Sequence, residues 1–148
     1  MNSIILPNEV LLPQVADLLA RGKEVELRTK GSSMLPFIVG ERDSVRLQAA
    51  TDYRVGDVVL AQLPGGRFVL HRVHKIEGEC VTLKGDGNLD GTESCTLDCL
   101  KGQAIAVVRP SGKTVDLRSP RERGRARRWV ALPRFVRRYY LAIYRRLI

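Results

Sequence analysis

Between Gly56 and Ile76 the sequence has little option but to fold back on itself. Val58-Val59-Leu60-Ala61 is an apolar, β-branched run, Pro64-Gly65-Gly66 is a turn, and residues 67–76 return as a second run. Two such runs joined by so short a Pro/Gly link make an antiparallel hairpin. The pattern repeats: residues 24–29, 43–47, 80–83, 103–109 and 114–117 read as strands, separated by turns such as Glu77-Gly78-Glu79 and Pro110-Ser111-Gly112-Lys113. Strands in succession with short links predict a mainly antiparallel β body, a partly open barrel or small sandwich. Residues 8–21 read as a short amphipathic helix, with Leu11, Leu12, Val15, Leu18 and Leu19 on one side, Pro13 in the first turn and Gly22 as the cap. It covers one face or end of the sheet.

Charge separates the last part of the chain from this body. Residues 109–148 carry 13 Lys/Arg and 2 acids, whereas residues 1–108 carry 12 and 14. The expected division is a β domain over 1–118 and a basic appendage over 119–148. Residues 119–125 read as a basic linker. Trp129, Leu132, Val136, Tyr139, Tyr140, Ile143 and Leu147 then recur at helical spacing, with arginines on the other sides and Pro133 at a helix start or kink. Such a helix suits an anionic membrane surface, through Trp129, Arg134, Arg137, Arg138, Tyr139 and Tyr140. Its apolar stripe could instead dock on the β body. Nucleic acid is the less favoured anionic partner.

No run of 18 apolar residues is present, and the first residues lack a basic, then apolar, leader pattern. The expected location is cytoplasmic or peripherally membrane-associated. Three cysteines, Cys80, Cys95 and Cys99, are an odd number and read as reduced thiols. Cys95 and Cys99 have no second ligand pair at metal spacing, so neither a metal nor another cofactor is expected.

The candidate chemistry begins at Gly31-Ser32-Ser33-Met34-Leu35-Pro36, a turn that follows the 24–29 strand directly. Gly31 and Pro36 shape it, and Met34 floors a groove beside Ser33. A serine becomes a nucleophile only with a base in reach and donors for the oxyanion. His71 lies on the returning strand of the hairpin, within Val69-Leu70-His71-Arg72-Val73. His74 and Arg72 fall on the opposite face. A half-buried structural histidine is the plain alternative. Asp86 and Asp90, in the Gly-rich loop that follows, are candidates to orient the imidazole, although Asp-Gly is also ordinary turn chemistry.

Four boxes in order resemble those of the signal peptidase I family. Gly31-Ser32-Ser33-Met34-Leu35-Pro36 is similar to its Ser-Met-x-Pro box and Gly56-Asp57-Val58-Val59 to its Gly-Asp-(Ile/Val)-Val box. Leu70-His71-Arg72-Val73 resembles the box that holds the base, and Lys84-Gly85-Asp86-Gly87-Asn88 the Lys-Gly-Asp-x-Asn box. The resemblance implies the β fold shared with the self-cleaving domains of SOS-type repressors, and a serine endopeptidase cutting a peptide or leader bond. It implies Ser33 as nucleophile and His71 as base, as in the family's histidine branch, with Asp86 or Asp90 completing the site. The chain departs from the family in lacking a membrane anchor and in having Gly31 where many members carry a hydroxyl. The oxyanion hole would then rest on the Ser33 N–H, with help from Ser32. Two alternatives follow: an inactive peptide-binding module of the same fold, and a self-cleaving regulatory domain, though the lysine base and DNA-binding helices of such repressors are missing.

Overall fold

The hairpin forms as its turn chemistry requires. β4 (Val58–Gln62) and β5 (Phe68–Glu77) pair antiparallel, with Val59 opposite His71 and Ala61 opposite Val69. The structure, a computed structural model, describes the main chain of residues 3–6 and all of residues 12–148. Around the hairpin lie β1 (Ser3–Leu6), β2 (Glu24–Arg28), β3 (Ser44–Gln48), β6 (Cys80–Lys84), β7 (Glu93–Thr96) and β8 (Leu100–Val108). The order across the sheet is β1-β2-β3-β8-β4-β5-β6-β7, with β9 (Thr114–Asp116) turned back onto β8. β1 and β2 are parallel, and every other pairing is antiparallel.

The mainly β body is therefore one continuous open sheet in place of a barrel or sandwich. Bulges interrupt its register at Arg46/Leu47, Leu60/Ala61 and Val73/Lys75. Each bulge bends a strand and raises the local twist. The sheet serves two cores. On β4, Val58 and Leu60 join Val15, Val25, Leu27, Val45 and Leu47 in one, while Val59 and Ala61 join Val69, Val73, Val81 and Leu83 in the other. Burial on both faces is why this strand reads as an unbroken apolar run.

α1 (Leu12–Ala20) packs Val15 and Leu19 into the first core and ends at Gly22, whose φ is +81°. The expected helix residues before Leu12, Leu11 among them, lie outside the described residues. One stretch of edge has no second partner strand among the described residues. β6 joins β5 only from Arg72 onward, so residues 68–71 pair with β4 alone among the described strands.

The tail differs from the single helix expected. Residues 120–125 are not a linker but the first turns of α2 (Pro120–Ala131). Ser119 caps it, its Oγ accepting the Glu122 N–H at 3.2 Å, and Pro120 fills the first helical position. Leu132 precedes Pro133 and is forced into extended backbone, so α2 ends there and α3 (Arg134–Leu147) begins anew. Both helices dock on the body. Trp129 and Leu141 form a third core with Leu35 and Val39. Leu141 is the one fully buried residue of α3. No helix among the described residues is long and apolar enough to cross a membrane.

Candidate active site

The turn after β2 is clamped at its stem. Thr29 donates both its N–H (3.0 Å) and its hydroxyl (2.8 Å) to the Asp43 carbonyl oxygen, and the Glu41 N–H donates to the Thr29 carbonyl at 2.9 Å. The buried Asp43 carboxylate accepts from the Val39 N–H (2.8 Å), Arg42 and Arg109. Inside this frame the Phe37 and Ile38 N–H groups donate to the Met34 carbonyl at 3.1 and 3.0 Å. Met34 is buried in the first core, and Ser33 sits half-buried just before it. No main-chain acceptor among the described residues engages the Ser33 N–H.

The Gly-rich loop closes over the back of this turn. The Gly87 N–H donates to the Ser33 carbonyl at 2.8 Å. A Cβ on Gly87 would stand 2.5 Å from the Ser32 carbonyl oxygen, and one on Gly85 would collide with the Ser33 carbonyl oxygen. The two boxes meet because both positions are glycine.

Ser33, Met34, His71, Asn88 and Glu93 line one groove of about 490 Å³, walled by Leu27, Ile38, Leu60, Phe68 and Leu70. Arg28, Lys30 and Arg67 also line it. His71 is buried, and its Nδ1 lies 2.5 Å from Glu93 Oε1. The two atoms are in close contact, yet neither has a partner in hydrogen-bond geometry among the described residues. Burial pushes the His71 pKa below its ordinary value, and the Glu93 carboxylate partly opposes that by favouring the charged ring.

Neither expected aspartate reaches the imidazole. Asp86 is bound bidentately by Arg72, Nε to Oδ1 at 2.8 Å and Nη2 to Oδ2 at 2.7 Å. Arg72 follows His71 and so faces the other side of β5. It also donates to the Gly56 carbonyl at 2.8 Å and lies over the Phe37 ring, 5.4 Å from its centroid. Asp90 is exposed and held by Arg134 at 2.7 and 2.8 Å. The carboxylate beside His71 comes from β7, where Glu93 pairs with Leu83 of β6. That four-residue strand carries a single buried residue, Cys95, and shows no clear alternation to betray it. Its one sequence signal is an acid directly after the Gly-rich loop.

Ser32 is exposed and does not line the groove. Lys75 and Lys84, the lysines nearest His71 in sequence, lie outside the groove: Lys75 pairs with Glu77 at 2.9 Å, and Lys84 faces a separate cavity with His74, Arg72, Trp129 and Arg137. Of the expected membrane-facing residues, Trp129 is buried, its Nε1–H donating to the Asp86 carbonyl at 2.9 Å, and Tyr140 packs edge-on against it at 5.4 Å. Arg134 is engaged with Asp90, and Arg137 donates to the Leu132 carbonyl. Arg138 and Tyr139 are exposed. No protein-family model matches the chain, and no curated protein matches it.

Proposed function

We propose that this chain is a serine endopeptidase of signal-peptidase-like fold and type. The observation that carries the reading is the meeting of Ser33, His71 and Glu93 on one groove, with Glu93 against one ring nitrogen. Ser33 Oγ attacks the peptide carbonyl while His71 Nε2 takes its proton, then returns it to the departing amine. Water repeats the sequence on the acyl-enzyme and frees Ser33. Glu93 fixes the tautomer and orientation of the ring and stabilises the imidazolium that forms. The Ser33 N–H, unengaged by any main-chain acceptor among the described residues, is the oxyanion donor.

The substrate is a peptide or precursor segment laid in extended form along the bare edge of β5 at residues 68–71. The test is covalent labelling by a serine-directed phosphonate probe. Labelling at Ser33 that disappears in Ser33→Ala and His71→Ala, with the fold retained by circular dichroism, is the expected result. A chain that stays unlabelled while still binding extended peptides is a binding module instead.

A further inference from the structure

Docking uses up only part of α3. Leu141 is buried, and Tyr140 and Tyr144 stack beside Trp129. On the far side, Phe135, Tyr139, Ile143 and Leu147 recur every fourth residue and so form one stripe. They are 67%, 73%, 57% and 78% exposed. A contiguous apolar stripe of this kind marks an interaction surface.

We infer that α3 is an interfacial helix that seats the protein on an anionic phospholipid bilayer. The charge on the helix selects the occupant. α3 carries five arginines and no acid. Of these, Arg134 is paired with Asp90, whereas Arg138, Arg145 and Arg146 have no carboxylate partner among the described residues. Arginines beside an aromatic and aliphatic stripe match a surface with anionic headgroups above an apolar interior. A second copy of the chain would set five arginines against five. A nucleic acid would engage the arginines and leave Ile143 and Leu147 in water. The membrane element is thus narrower than the sequence pattern: the outer face of α3 takes part, while Trp129 is buried in the body and Tyr140, half exposed, packs its ring against it. The inference does not depend on the peptidase reading.

The test is co-sedimentation of the full chain with phosphatidylglycerol-containing vesicles and with pure phosphatidylcholine vesicles. Strong, salt-sensitive binding to the first and little to the second is expected. Replacing Arg138, Arg145 and Arg146 by Gln weakens partitioning on the order of a hundredfold, about fivefold for each charge. Tyr139→Ser with Ile143→Ser and Leu147→Ser abolishes it, while the near-ultraviolet signal of buried Trp129 shows the body intact. Absence of binding to phosphatidylglycerol vesicles, equal binding to both vesicle types, or undiminished binding by the serine triple variant overturns the inference. So does a concentration-dependent dimer that the serine variant dissociates.

Discussion

Trp129 and Asp86 are joined by a 2.9 Å hydrogen bond from the indole N–H to the main-chain oxygen, across 43 residues of sequence. Through it α2 grips the Gly-rich loop, whose Gly87 N–H holds the Ser33 carbonyl. The basic appendage is thereby part of the scaffold behind the groove. Trp129→Ala should cost about 3–5 kcal/mol of stability, as large-to-small core changes do. Trp129→Phe, which keeps most of the volume but orphans a buried carbonyl, should cost about 1–3 kcal/mol. Urea denaturation measures both, and amide exchange in residues 85–92 should quicken in each.

The three candidate carboxylates separate by substitution. Glu93→Gln should lower kcat by roughly 10²–10⁴, the range expected when acid–base catalysis is impaired, with little loss of fold. Asp86→Asn breaks a buried ion pair and leaves Arg72 uncompensated, which should cost about 3–5 kcal/mol of stability. Asp90→Asn removes an exposed pair and should change neither activity nor stability by a measurable amount. Peptidase assays beside denaturation curves distinguish the patterns. An Asp86→Asn variant with native stability and no activity would restore Asp86 as the orienting group.

The His71 environment fixes a pH signature. Burial lowers its pKa beneath the ordinary 6.5, so the acid limb of kcat/KM should fall below that value. Glu93 raises the His71 pKa, so Glu93→Gln should move the limb further down as kcat drops. For stability, the unfolded chain takes up this proton at a higher pH than the folded chain does. His71 therefore destabilises the fold progressively as pH drops through 6.5 and into the folded-state titration. Denaturation midpoints of His71→Asn across this window should lose that part of the slope.

Gly87→Ala tests the contact between loop and serine turn. The added methyl would meet the Ser32 carbonyl oxygen at 2.5 Å, so one segment has to move. Activity should fall at least tenfold through displacement of Ser33, and thermal stability should drop with it. Gly91→Ala, in the same loop with open space around it, is the control and should behave as the unmodified chain.

The sequence makes the strands of the body legible because residues 58–62 and 68–77 are long or apolar enough to declare their period. Ser33 and His71 stand out for different reasons: one lies in the Gly/Pro-framed turn after β2 and the other inside β5. Glu93 beside His71 is not legible in the sequence, because β7 is four residues long with one buried side chain, a signal too weak to mark a strand. A carboxylate in a Gly-rich loop says nothing of its partner, and Arg72, one residue from His71, holds Asp86. By composition the 119–125 segment reads as a linker, yet Ser119-Pro120 is a helix start and Glu122 supplies the N–H that Ser119 accepts. Helical spacing in the tail was visible. That Trp129 faces inward while Tyr139 faces outward depends on the break at Pro133, which resets the helix axis.

The bare edge of β5 at residues 68–71 imposes a condition on any guest of the groove, cleaved or not. To satisfy those main-chain groups, a guest must arrive with its own amides and carbonyls unspent. A helix has already spent them internally, and a strand within a folded sheet has spent them on its neighbours. The edge therefore sorts polypeptides by state before any side chain is compared. For a peptide guest of the kind proposed, flexible leaders, tails and unfolded precursors meet this condition, whereas the same sequence inside a finished domain does not.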